Sequence, residues 1–243
     1  MPHRFTILAA LLLATTPAAA QDFPAIGSQY IDFGASMASV GQMNNVLGAT
    51  VRSRGGERRA PARPQAPIAT SGTRYKPSPA ISVRVRARFA DFVAGADPAN
   101  AARLRQVVQQ NDLLGLWERH VATDGLRRGD VADAMAAYWV QNWQIANKVA
   151  FTSRAQVQAV RVQIAGALGT SPGFARMNDA ARQELAETYM LNFIAQGSAF
   201  SDAMARKDAA RVQRLSDAAA ARFQKDVRLD LRRLRLTPAG FAD

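Results

Sequence analysis

Asp130-Val-Ala-Asp-Ala-Met-Ala-Ala-Tyr-Trp-Val-Gln-Asn-Trp-Gln-Ile-Ala-Asn147 decides the fold. Val131, Met135, Tyr138, Asn142, Ile145 and Val149 recur at spacings of three and four, which places them on one face of a helix. Trp139 and Trp143, two of the three tryptophans in the chain, lie beside that stripe and widen it. Asp130 stands where an N-cap is needed, with Asp133 three residues on as a weaker capping box. A helix this apolar must be covered by other elements.

The flanking sequence supplies helices to cover it. Val85, Phe89, Phe92 and Val93 follow helical spacing over 82–94. Asp97-Pro98 restarts a helix that runs to about Gln110, and Asp112 caps a short one carrying Leu113, Leu116, Trp117 and Val121. Ser153 caps a helix to Leu168. Asn178 or Asp179 caps a long one to Arg206, and a last helix follows Lys207-Asp208 and stops near Arg228. Residues 229–241 alternate Leu and Arg and are expected as an irregular segment whose leucines lie across the bundle. With no convincing strand, the fold class is all-α, a single bundle of about seven helices over 81–243.

Upstream the composition changes. Over 28–49, Tyr30, Phe33, Met37, Val40, Met43 and Leu47 permit a short helix, weakened by Gly34, Gly41 and Gly48. From Arg52 to Pro79 the chain is rich in Arg, Pro, Gly and Ser and too poor in apolar residues to offset the entropy of ordering. Residues 21–80 therefore read as a disordered basic linker outside the packed core. Residues 1–20 read as a signal peptide: Arg4, an apolar run over 5–14, then Ala18-Ala19-Ala20 before a cut at Gln21. The apolar run is too short to span a membrane. The protein is thus expected to be exported, periplasmic or secreted, with no transmembrane span after cleavage.

Cysteine is absent, so neither disulfides nor a lipidated cysteine can contribute. The formal charge is +12, and only Lys76, Lys148, Lys207 and Lys225 of the 31 basic residues are lysine. Such an arginine surplus arises from a GC-rich genome or serves affinity for polyanions. The last helix carries a basic face of Arg211, Arg214, Arg222, Lys225, Arg228 and Arg232, a candidate anion-binding surface. Regular aromatic interleaving is missing, and no sequence-specific nucleic-acid binding is indicated.

Enzyme chemistry is poorly supplied. Gly169-Thr-Ser171-Pro-Gly173 matches the nucleophile-elbow pattern, but a helix precedes the serine where that motif needs a strand. One histidine beyond residue 20, His120, and no cysteine leave no metal set of the usual kind, and no cofactor fingerprint is present. A carboxylate-dependent hydrolase would draw on Glu187 or Glu118. Glu184 and Glu187 share a helix face, and surface pairing with Arg182 is the structural alternative. Tyr138 and Asn142, one turn apart, form either an internal network fixing helix register or the lining of a small pocket with Trp139, Trp143 and Glu187.

Asp130-Val-Ala-Asp-Ala with Tyr138-Trp139, and the ending Leu234-Arg-Leu-Thr with Gly240-Phe241, resemble a family of uncharacterised exported bacterial proteins carrying a domain of unknown function. The resemblance covers roughly Ile81–Phe241. It implies an autonomous helical domain and transfers no activity or site residue. The functional expectation is a non-enzymatic exported module that binds an anionic envelope component or a protein partner. The alternative is a hydrolase acting on an envelope glycan.

Overall fold

The structure, a computed structural model, describes residues 32–56 and 70–242. The expected signal peptide, linker residues 21–31 and 57–69, and Asp243 lie outside the described residues. Nine α-helices run in order among the described residues: α1 (Ala38–Gly56), α2 (Pro79–Ala96), α3 (Ala101–Gln110), α4 (Leu113–Val121), α5 (Val131–Asn147), α6 (Arg154–Gly169), α7 (Pro172–Ala175), α8 (Asp179–Ala205) and α9 (Ala209–Val227). A two-stranded antiparallel hairpin, β1 (Arg235–Thr237) and β2 (Gly240–Ala242), follows.

The seven expected helices form, five of them where a side-chain cap places them, while α2 starts at Pro79 and α3 at Ala101, after a 3-10 turn at Pro98–Asn100, without a side-chain cap bond. Asp112, Asp130, Ser153, Asn178 and Asp208 each accept a backbone N–H with the side chain, which satisfies a donor that the first turn leaves open. Ser153 and Gln156 complete a reciprocal capping box. Asp133 does not reach back in that way. Its carboxylate accepts from the backbone N–H of Arg127 at 2.9 Å and from Arg161 Nε at 2.7 Å. Arg161 also donates to Asp130 at 2.9 Å, so one guanidinium on α6 holds both acids at the start of α5.

α5 packs against α6, α8 and α9. α8 is its equal as a centre, with every residue from Gln183 to Ala199 buried except Glu184. A helix enclosed on all sides cannot display an apolar stripe, and its polar side chains must find partners. Gln183 bonds the backbone of Ser78, and Thr188 donates to Glu184 O and lies 3.2 Å from Met37 Sδ. Asn192 accepts from Phe33 N, and Gln196 accepts from Asn142. The polar ladder of α8 thus fixes several neighbours in register.

The boundary at residue 81 does not hold. Within the expected linker, Phe33, Val40, Met43, Leu47 and Val51 are core residues, and α1 lies against α6 and α9. Its helix runs to Gly56 and not to 49. Asn44 on α1 accepts from Trp139 Nε1 at 2.9 Å and from the Tyr189 hydroxyl at 3.0 Å, so it ties α1 to α5 and α8 at once. Gly48, which lowers helix propensity, is where α1 meets the end of α9: a Cβ there would sit 2.3 Å from Val227 Cγ1. Farther along the expected linker, Tyr75 is buried and its N–H donates to Gly129 O.

The C-terminal segment is likewise more regular than expected. Leu229, Leu231, Leu234 and Leu236 are buried, and the chain then turns at Pro238-Ala239 into the hairpin. Gln163 on α6 accepts from Phe241 N at 2.9 Å and donates to Phe241 O at 3.1 Å, so its amide pairs with β2 as a neighbouring backbone would. Gly240 is at φ +100, and a Cβ would lie 2.6 Å from Gln163 Oε1. Trp143 Nε1, Asn147 and Gln156 donate to the carbonyls of Leu234, Leu231 and Leu236.

Candidate functional site

The aromatic and amide groups of α5 are core. Tyr138, Trp139 and Asn142 are fully buried. Asn142 Nδ2 donates to Tyr138 O at 2.8 Å and to Gln196 Oε1 at 3.0 Å, which is the internal network and not a pocket lining. Tyr138 lies against Tyr189 and stacks on Phe223, and Trp139 meets Phe223 edge-on. Trp143, partly buried, is engaged by the C-terminal segment.

Glu187 is brought to a different neighbourhood from these four. It is 2 % exposed, and its Oε1 accepts from Ser82 Oγ at 2.6 Å and from Gln183 Nε2 at 2.8 Å. Its Oε2 has no hydrogen-bond partner among the described residues. Burial, and then the Glu187 charge, push the Tyr75 hydroxyl well above its usual range. Glu184, one turn earlier, points outward and pairs with Arg84 and Arg88. Glu187 therefore neither joins a surface ion pair nor faces a second carboxylate: it bolts α8 to α2. Glu118 lies on α4. Ser171 is buried and caps α7 through its hydroxyl, so the elbow-like motif serves a turn. Among the described residues no group of three or more His, Cys, Asp or Glu side chains is placed to hold a metal ion.

The basic face of the last helix divides into two sets. Arg211 pairs with Asp202, and Arg222 with Asp32 and Asp226. Arg232 pairs with Asp217 and donates to Ser216 Oγ at 3.0 Å. These three arginines brace the bundle, and the acids that engage them were not anticipated on that face. Arg214, Lys225 and Arg228 are exposed, with no ion pair among the described residues. They fall on one stripe of α9 with Ala218 and Ala221 between them. At its end Arg228, at φ +57, closes the helix, where cations are favoured by the helix dipole. Arg52 of α1 donates to Val227 O, which holds the end of α1 beside this pole.

A groove between α4, α5 and α8 was not foreseen. It encloses about 500 Å³. Ala137, Val140 and Phe193 form its floor, and Arg119, His120, Asp124, Gln144 and Thr152 its rim. Lys148, at φ 55, ends α5 and starts the loop that carries Phe151, 84 % exposed, to the groove edge. The His120 ring lies edge-on to Phe193 at 5.2 Å, and this burial holds its pKa below the usual histidine value. Burial raises the Asp124 pKa, and the Arg154 charge opposes the shift. The only sequence signal was an aromatic residue stranded between two helical patterns.

The chain belongs to a family of unknown function (DUF6683), whose model matches residues 1–242 and so takes in α1 as well as the segment after residue 81. No curated protein and no solved structure matches it. No helix among the described residues is long and apolar enough to cross a membrane.

Proposed function

We propose that this protein is an exported helical module that binds anionic envelope surfaces through one basic pole. The observation that carries this is the exposed stripe of Arg214, Lys225 and Arg228 on α9, which makes no ion pair among the described residues and beside whose end the exposed Arg52 of α1 is held by its bond to Val227 O. The sequence after α1 adds Arg58, Arg59 and Arg63 to the charge of the chain. An exposed stripe of one sign attracts a polyanion, and because the attraction is screened over about 8 Å at physiological salt it acts at contact range. Export rests on residues 1–20, whose charged start, apolar run and small residues fit a cleaved signal.

The test is co-sedimentation with vesicles containing phosphatidylglycerol, compared with neutral phosphatidylcholine vesicles, over a range of salt. Each basic residue near an anionic membrane contributes about 1 kcal/mol. Replacing Arg214, Lys225 and Arg228 by Ser is expected to weaken binding on the order of 100-fold, with a shallower salt dependence. Replacing Arg211, already paired with Asp202, should change binding little. Salt-independent binding, or a triple variant that binds like the parent, would reject the proposal.

A further inference from the structure

The groove beside Phe151 has no part in the charge-based role and calls for its own explanation. Its size, about 500 Å³, suits a small ligand. Among the described large apolar side chains with notable exposure, Phe151 at 84 % stands well above Val83 at 58 %. Phe33, Phe89, Phe174, Phe193, Phe223 and Phe241 are all buried. Packing therefore does not account for an aromatic ring held in water at the lip of a groove. The rim offers a guanidinium, an imidazole, a carboxyl, an amide and a hydroxyl from Arg119, His120, Asp124, Gln144 and Thr152. That set both donates and accepts hydrogen bonds. A phosphate or carboxylate ligand is held by several converging cations, and the lining supplies one arginine, Arg119, the nearby Arg154 being set against Asp124. What fits is a ligand without net charge that has flat apolar faces and a periphery of hydroxyls.

We infer that this groove binds a neutral oligosaccharide, with one sugar ring laid on Phe151 and its hydroxyls bonded to the rim. Phe193, beneath the imidazole of His120, forms the floor and is not a second platform. The inference does not depend on the basic pole. Sugar binding of this kind is insensitive to salt, whereas attraction to an anionic surface is not.

The experiment uses the full chain with chitotriose and cellotriose as probes, read by saturation-transfer NMR and by titration calorimetry. Saturation transfer to the ring protons of at least one sugar is expected. Stacking on an open aromatic face contributes about a factor of ten or more, by analogy with base stacking. Phe151→Ala should therefore weaken binding by about that factor, Phe151→Trp should retain it, and Gln144→Ala should weaken it. Because Phe151 is exposed, the alanine variant should melt like the parent, which separates loss of the site from loss of the fold. No transfer to either sugar at millimolar concentration would overturn the inference, as would a Phe151→Ala variant that binds sugar as the parent does. A Phe151→Ala variant with unaltered sugar signals but lost vesicle binding would assign the ring to a lipid surface instead.

Discussion

Asn44→Ala is the sharpest probe of whether α1 is structural. Asn44 is 2 % exposed, and its Oδ1 serves two buried donors, Trp139 Nε1 at 2.9 Å and the Tyr189 hydroxyl at 3.0 Å. Tyr189 has only a long contact to Val40 O at 3.4 Å to fall back on. Leaving a buried donor unsatisfied costs about 1–3 kcal/mol, so the two together should cost about 2–4 kcal/mol. With a urea m-value of about 3 kcal/mol/M for a chain of this size, the midpoint should fall by about 1 M. Circular dichroism and tryptophan fluorescence should report the same shift. In a Trp139→Phe background, where one donor is already gone, the same substitution should cost about 1 kcal/mol less. A midpoint change below about 0.2 M would mean that α1 is not seated in the core, and the placement of Asn44 would be refuted.

Three further outcomes are expected. Gly48→Ala should destabilise by about 1–3 kcal/mol through collision with Val227, and Val227→Ala added to it should recover part of the loss in thermal melts. Arg161→Met should cost about 3–5 kcal/mol at neutral pH, because Asp130 and Asp133 are left buried without their cation. Burial already raises the Asp133 pKa against the opposing Arg161 hydrogen bond, so losing that bond raises it further. The folded variant then binds protons more readily than the unfolded chain, and its deficit should shrink as pH falls toward 4. His120, with its pKa lowered by burial, contributes stability that is fully present above its unfolded value of 6.5 and is lost as pH falls. Urea midpoints at pH 7 and pH 5 should therefore drop more for the parent than for His120→Asn.

Five of the helices, α4, α5, α6, α8 and α9, were legible at their starts because each brings a cap of its own, whereas α7 lies in a stretch that reads as a loop. Asp112, Asp130, Ser153, Asn178 and Asp208 mark their starts with no help from tertiary structure. α1 was obscured because its glycines and Asn44 look unfavourable in isolation. Their value appears only when Val227, Trp139 and Tyr189 are beside them. The hairpin escaped because strands of three residues carry no period, and β2 is held partly by the side chain of Gln163. The α5 network was anticipated as one of two outcomes from Tyr138 and Asn142. The groove was hidden because its walls come from α4, α5 and α8, and only the finished packing brings Phe193 beneath His120.

The Gln163–Phe241 clamp also bears on when this chain can fold. Phe241 lies beside Trp139, and β2 rests against both α6 and α1. The earliest described helix and the last described strand therefore close the same part of the interior. A growing polypeptide cannot finish that region until Phe241 has been synthesised. Contacts this distant in sequence carry a large loop-closure cost before they return any stability, which slows folding. Until then the parts of α1 and α6 that β2 covers remain open, and exposed apolar surface of that kind favours chaperone binding or aggregation.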